Sequence, residues 1–365
     1  MPKSIHFHPL IVLIVFLNSC QGQDQKNQDL DLIELPDGFH IEIYADNIPN
    51  ARAMDLAEDG TLFVGSRDKG NIYAVTPGKN VMLLDEGLAM PAGLDYYEGD
   101  LYVSAVSKIL KYPDILSNLS DPPEPEVVYD EYPTDNWHGW KFIKFGPDGK
   151  LYVPVGAPCN VCLEEDPIYA SITRMDKDGS NMEIIAHGVR NTVGFAWHPE
   201  SKNLWFTENG RDYMGDNLPP DEINKLTETG QHFGFPFVHG DDVKDPEFWE
   251  KRPEGFEWVK PQVNLDAHVA ALGMRFYTAD MFPEKYRGGI FFAEHGSWNR
   301  SSKIGYRVMF TPVVNGEARG KEVFAAGWLQ GEEVWGRPVD VEIMPDGSML
   351  VSDDMAGSIY RIYYK

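Results

Sequence analysis

Short apolar runs with strand-like alternation recur along the chain, each introduced by a tight turn. The pattern is sharpest in Asn136–Pro158, NWHGWKFIKFGPDGKLYVPVGAP. A strand predicted from Lys141 to Phe145 meets Gly146-Pro147-Asp148-Gly149 and returns as a second strand, Leu151 to Val155. Proline fixes φ, aspartate bonds its own backbone and glycine takes positive φ, the ingredients of a short turn. The flanking β-branched and aromatic residues suit a hairpin. The same unit recurs from Glu58, Tyr97, Pro199, Tyr286 and Pro345, and several copies run on into a strand reading like G-x-I-Y-x-V. A β-sandwich with common turns is the plainer reading. Six copies in one strand–turn–strand order favour an all-β, six-bladed β-propeller of four-stranded antiparallel blades.

Other stretches fit that ring. Helical periodicity is scarce, and the longest candidate, Asp114 to Leu119, is cut by Pro113 and Pro122-Pro123. The wide gap between the fourth and fifth copies, Asn224 to Lys285, is rich in Pro, Gly and aromatics, and predicts a loop insertion on the face that carries the site. The strand FHIEIYA, Phe39 to Ala45, precedes the first copy. Pairing it beside SIYRIYY at the C-terminus completes the last blade and removes two exposed sheet edges.

The N-terminus reads as a targeting segment. Lys3 precedes an apolar run, Leu10 to Leu17, that is too short to span a bilayer. It ends in Leu17-Asn18-Ser19-Cys20, which resembles the bacterial lipoprotein signal, with Cys20 as the lipidated residue. Ordinary secretion with an unmodified cysteine is the alternative. The chain then divides into a signal segment 1–20, a polar tether 21–33 and a propeller 34–365. The expectation is an exported protein, lipid-anchored to a bacterial membrane and facing the periplasm or cell surface. Cys159 and Cys162 then predict a local disulfide, because a metal site wants two more soft ligands and a thioredoxin-like role wants a βαβ context. The formal net charge of −25 argues against nucleic acid as a partner.

Candidate chemistry sits on the loops that enter strands. His138, between Trp137 and Trp140, is a base able to work near neutral pH. Arg190-Asn191 pairs a planar fork for carboxylates with an amide donor. The segments TENGRDYMGD and PDEINKL supply oxygens suited to a hard cation. His268, His295, Arg300 and Arg337 precede later strands in the same way. Each has an ordinary structural reading when taken singly. Together, in so acidic a chain, they predict an anionic ligand at the channel mouth.

These motifs, with HGVRN…GFAWHP, DEIN, G-x-x-F-G-F-P, EHGSWNR and GRPVDV…PDGSMLVSDD, resemble the quinoprotein glucose/sorbosone dehydrogenase family from about Leu35 onward, in particular its sorbosone dehydrogenase-like branch. The resemblance implies a six-bladed propeller holding pyrroloquinoline quinone (PQQ) and calcium, and oxidation of an aldose or sugar aldehyde with transfer of electrons to an external acceptor. It implies His138 as general base, Arg190 and Asn191 at the quinone oxygens and Arg337 at the PQQ carboxylates. Arg300 and His268 would be further cofactor or substrate contacts. The carbonyls of Gly210 and Arg211 would meet the cofactor's calcium, and Glu222 a second, structural calcium. Trp137 stands where the glucose-oxidising members carry an Asp, Arg211 where they carry a Pro, and Cys162 near a Gln position. Those departures favour a second expectation, a propeller that binds carbohydrate or a partner protein without turnover. A third is a lactonase-type hydrolase, which needs carboxylates in place of an Arg-rich mouth.

Overall fold

A computed structural model describes residues 29–365; the signal segment, Cys20 and the first part of the tether lie outside the described residues. Six antiparallel sheets follow one another around an axis, and each is one blade. Blade 1 is built from Ala51–Leu56, Leu62–Ser66, Ile72–Val75 and Val81–Asp85, and blade 2 spans Leu94–Tyr97 to Glu126–Tyr129. Blade 3 starts at Lys144–Phe145, blade 4 at Phe195–Trp197, blade 5 at Ala271–Phe276 and blade 6 at Pro338–Ile343. These first strands are the innermost ones and are neighbours around the ring. The turn is completed between blades 3 and 4, where Phe142 meets Phe195 edge-on at 4.9 Å.

The ring closes as the pattern predicts. Phe39–Asp46 pairs antiparallel with Ser358–Tyr364, so the first strand of the chain becomes the outer strand of the last blade. Folded structure begins a little before residue 34. Leu30 and Ile33, assigned to the tether by sequence, pack on the core between blades 5 and 6, and Glu34 bridges Ala326.

Three expectations are amended. Only Lys144–Phe145 of the stretch from Lys141 pairs as strand, because the Lys141 carbonyl is taken by Ser104 Oγ of blade 2. The helical candidate shrinks to a 3-10 turn, Ile115–Asn118. The wide gap is part insertion and part blade. Val263–Asn264 is the outer strand of blade 4 and Ala271–Phe276 the inner strand of blade 5. Between them and Glu222–Leu226, the chain adds Gln231–His232 to blade 3 as a parallel fifth strand and makes a small hairpin, Val238–His239 with Val243–Lys244.

Buried aspartates of the inner strands tie blade to blade. Asp340 of blade 6 accepts the Met54 N–H of blade 1 at 2.9 Å, Asp55 of blade 1 accepts Tyr96 N–H of blade 2 at 2.7 Å, and Asp95 of blade 2 accepts Phe145 N–H of blade 3 at 2.7 Å. Each bond satisfies a buried backbone donor that no strand partner reaches, as buried polar groups require.

Candidate active site at the channel mouth

The loops at one end of the axis enclose a cavity of about 600 Å³. His138, Arg190, Asn191, Gly210, His268 and Arg337 all line it, although they come from different blades. Its inner end is apolar, where Val193, Leu272 and Val339 pack together beside Trp140.

His138 is held by its surroundings rather than by chance packing. Its backbone sits at φ 52, in the left-handed region. Gly139 follows with its Cα against the Asp135 carbonyl, where a Cβ would collide. Gly156 leaves room for the His138 side chain, since a Cβ there would come within 2.5 Å of the His138 Cβ. Lys141 is fully buried and donates from Nζ to the carbonyls of Gly139 and Val106, pinning the turn from behind. The His138 ring places Nδ1 2.8 Å from the Ala157 carbonyl, so Nδ1 carries the proton and donates. Nε2 is left with its lone pair. Burial, assisted by the charge of Arg190, pushes the imidazole down to about 3, so it is neutral at any ordinary pH.

Arg190 is equally fixed. Nε donates to the Asn160 carbonyl at 2.8 Å, Nη1 to the Asn209 carbonyl at 3.1 Å, and Nη2 to Asn160 Oδ1 at 3.1 Å with Asp212 at 3.4 Å. Asn191 is held through its main chain, its N–H donating to Glu208 at 3.0 Å and its carbonyl accepting from Asn209. On the opposite wall, one buried carboxylate gathers three cavity-lining side chains. Asp354 lies 3.0 Å from Arg52 Nη1, 3.0 Å from His295 Nε2 and 2.9 Å from Arg337 Nε. Burial works against ionisation of Asp354, but its neighbours outweigh it and hold it below the usual carboxylate range. Burial also drives His295 toward the neutral imidazole. His295, Arg52 and Arg337 together outweigh burial and keep Asp354 ionised.

This wall has hydrogen-bonding capacity to spare. Arg52 Nε and Trp140 Nε1 are buried without a hydrogen-bond partner, and Arg337 Nε lies near Asp354 without a hydrogen bond to it. Arg67 lines the cavity over the face of Trp140, 4.9 Å from the ring centre. Four guanidinium groups thus face one cavity in a chain of net charge −25. Unpartnered buried donors next to positive charge mark a place for an anion. Oxygen donors are also present: Asp212 and Asp221 line the cavity, and Asn299 Oδ1 is buried without a partner. Trp137 and Trp298 line the cavity while more than half exposed, and Tyr213 meets Trp298 edge-on at 5.9 Å.

The side chains of three predicted residues, Arg300, Arg211 and Glu222, do not line the cavity; for Arg211 the resemblance concerns the carbonyl, not the side chain. The Arg300 guanidinium donates to the carbonyls of Asp216, Ala267 and Ser302, away from the cavity wall. The buried Arg211 side chain pairs with Asp245 at 2.7 Å and Glu247 at 3.1 Å, which ties the insertion to the site loop. Glu222 is buried, accepts from Gly240 N–H and Asn224, and sits opposite Glu208 on the neighbouring strand. Burial pushes Glu222 up to about 7, and burial with the charge of Glu222 pushes Glu208 up to about 8. His268 lines the cavity with Nε2 2.8 Å from the Gly215 carbonyl. Cys159 and Cys162 are joined in a disulfide, with Cα atoms 6.1 Å apart. Sequence reasoning passed over Arg52, Asn160 and Asp354, and offered Asp212 only as one of the oxygens of TENGRDYMGD. The available signals were a lone arginine inside an apolar strand and an asparagine between two paired cysteines.

Comparison with known proteins gives the family and the fold. Residues 116–361 match the profile of a family described as Glucose / Sorbosone dehydrogenase. An uncharacterized protein from Borreliella burgdorferi is 36% identical over 351 residues, covering 91% of each chain. Among solved structures, the Trichoderma reesei Carbohydrate-Active Enzymes Family AA12 protein in its iodide structure covers 91% of this chain and 98% of its own, at 19% identity and TM-score 0.76. The holo form of the pyranose dehydrogenase PQQ domain from Coprinopsis cinerea covers 91% and 97%, at 17% identity and TM-score 0.74. The PQQ-bound aldose sugar dehydrogenase from Streptomyces coelicolor covers 91% and 100%, at 18% identity and TM-score 0.66. At such identities these structures speak to the fold.

Proposed function

Because the chain belongs to the glucose/sorbosone dehydrogenase family, we propose that it oxidises an aldose or sugar aldehyde with PQQ and calcium bound at the channel mouth. One observation carries the reading. A buried, neutral imidazole has one nitrogen locked to a carbonyl and the other free, on the wall of a cavity that four guanidinium groups also line.

The residues present fit a planar, polyanionic quinone. Arg52, Arg67 and Arg337 suit its carboxylates, each being paired only in part by protein groups, and Arg190 with Asn191 suits its carbonyl oxygens. Asp212, Asp221 and Asn299 offer hard oxygens for calcium, beside the carbonyls of Gly210 and Arg211 that the family resemblance suggests. When bound, the quinone supplies a two-electron acceptor for hydride. His138 Nε2 accepts the substrate hydroxyl proton, while Nδ1–H stays on the Ala157 carbonyl and holds the ring in the one tautomer that can do so. Arg190, fixed on both edges, presents a positive charge that does not reorganise as negative charge develops nearby. The apolar inner end of the cavity keeps water from the axis, and Trp137 and Trp298 offer flat faces for a sugar ring. The two electrons then leave to an external acceptor.

The test is reconstitution of the purified chain with PQQ and calcium, followed by dye reduction on a panel of aldoses and sugar aldehydes. Failure to bind PQQ removes the dehydrogenase reading. The exposed tryptophans also suit a carbohydrate receptor without turnover, which the same panel reveals as sugar binding with no dye reduced. The proposed location is a bacterial membrane surface, through lipid on Cys20. A Cys20→Ser chain should then leave the membrane fraction, and its retention there would overturn the anchor.

A further inference from the structure

Arg190 is held by Asn209, by Asp212 and, most fully, by Asn160. Asn160 engages it twice, through its main-chain carbonyl at 2.8 Å and its side-chain Oδ1 at 3.1 Å. The same residue holds Asp212 from both sides. Asn160 Oδ1 accepts the Asp212 N–H at 2.8 Å, and Asn160 Nδ2 donates to the Asp212 carbonyl at 3.2 Å. Asp212 in turn reaches Arg190 and accepts from Asn299 at 2.8 Å. One asparagine thus bonds both charged groups, alongside Asn209 at Arg190 and Asn299 at Asp212. That asparagine lies inside the four-residue loop closed by Cys159 and Cys162. Loop residues without regular secondary structure are free to move unless something ties them. Here the only covalent tie among the described residues is the disulfide, and both cysteines are half-buried rather than enclosed in the core.

We propose that Asn160 is a positioning residue for Arg190 and Asp212, and that the Cys159–Cys162 bond is the brace that keeps it in place. The proposal rests on the dehydrogenase reading only for what Arg190 then serves; the clamp itself is a property of the protein without cofactor. Breaking the brace needs a dithiol reductant. Two electrons and two protons pass to the sulfurs, giving two thiols, and the reductant leaves as its own cyclic disulfide. The backbone of residues 159–162 then gains freedom, the Asn160 carbonyl no longer holds its place, and Arg190 loses its fixed orientation.

The experiment uses the full chain without PQQ and reads the rate at which an arginine-selective dicarbonyl reagent modifies Arg190, followed by peptide mass spectrometry. Arg275 serves as the internal reference, since it is buried in ion pairs with Asp340 and Glu342 on other strands. Three forms are compared with the oxidised chain: Asn160→Ala, which keeps the disulfide; Cys159→Ser with Cys162→Ser; and the natural chain reduced and alkylated while folded. The expected result is roughly tenfold faster modification of Arg190 in each, as loss of a charge-assisted hydrogen bond implies, with Arg275 unchanged. Should the double serine variant fail to fold, the reduced natural chain and Asn160→Ala carry the same comparison. An unchanged Arg190 rate in those two forms overturns the proposal. So does an equal acceleration at Arg275, because the effect is then general loosening. In parallel, PQQ titration read by absorbance should need about tenfold more cofactor in Asn160→Ala, the usual scale for losing an outer-shell partner. If the natural chain binds no PQQ, that result counts against the dehydrogenase reading and leaves the arginine measurement standing.

Discussion

At the scale of single residues, the site depends on what each polar side chain is denied. His138 is buried and has no second protein partner, so its free nitrogen stays basic in form though weak in strength. Because burial and Arg190 favour the neutral ring, its charged form is reached only near pH 3. A base must be neutral to accept a proton, so lowering its pKa extends activity toward acid. The acid limb of kcat for the reconstituted enzyme is therefore expected near pH 4 or below rather than at the ordinary histidine value of about 6.5. A kcat profile that falls with an apparent pKa near 6.5 would contradict this. Replacing His138 by Ala should lower kcat by about 10²–10⁴-fold and leave PQQ absorbance titration nearly unchanged. Gly156→Ala tests the same geometry without touching the imidazole. Its new methyl meets the His138 Cβ at 2.5 Å, so turnover should fall by about 10²-fold while the ring chemistry is intact. Residues of this kind were readable in sequence when they stood in one contiguous polar motif before a strand, as His138 and Arg190-Asn191 do. Arg52 and Asp354 were not, since they sit on blades 1 and 6 and only the closed ring brings them together; Asn160 was not, since its partners lie on separate loops of blades 3 and 4. Arg300 looked equivalent to Arg337 by position, yet its loop folds back so that carbonyls consume its donors.

At the scale of the element, the innermost strands do two jobs that conflict. They must pair with the second strand of their own blade and also aim side chains along the axis. Three of them resolve this with a break in register, between Ala51 and Met54, Ala271 and Met274, and Pro338 and Val341. Such bulges re-aim side chains and add twist. The residues within them include Arg52 and Leu272 of the cavity wall, Val339 beneath it, and Asp340 of the inter-blade ties. The sequence ARAMDL reads as an ordinary short strand, so its alternation reveals the strand and hides the bulge. The turns and second strands were legible because their chemistry is local, whereas register depends on the partner. Asp340 also accepts the Val341 N–H and faces Arg275 at 3.4 Å. Asp340→Ala should thus leave two buried N–H groups unmet and cost about 3 kcal/mol of stability. Denaturant unfolding would show this, and a loss within experimental error would mean that water replaces the carboxylate.

At the scale of the molecule, a ring of sheets has one seam, and its strength sets whether the ring stays shut. Here the seam lies inside blade 6, where the antiparallel ladder from Phe39 to Asp46 along Tyr364 to Ser358 joins the two ends of the folded chain. Phe39 anchors it. Its ring meets Phe282, Tyr286, Phe324 and Tyr364 at centroid distances of 4.8, 5.5, 5.0 and 5.0 Å, so the N-terminal strand is locked to the aromatic core of blades 5 and 6. Phe39→Ala should cost about 3–5 kcal/mol, the range for emptying a large aromatic site. Removing residues 29–46 altogether should do something different in kind. It uncovers the full edge of Ser358–Tyr364, a long strand of high β-propensity with its hydrogen-bonding groups unpaired, and such edges recruit another chain. The truncated protein should sediment as dimers or larger species at concentrations where the full chain is monodisperse, and added peptide of sequence FHIEIYAD should reverse the association. A truncated chain that stays monomeric and retains the cavity would show instead that the remaining strands of blade 6 close the ring unaided.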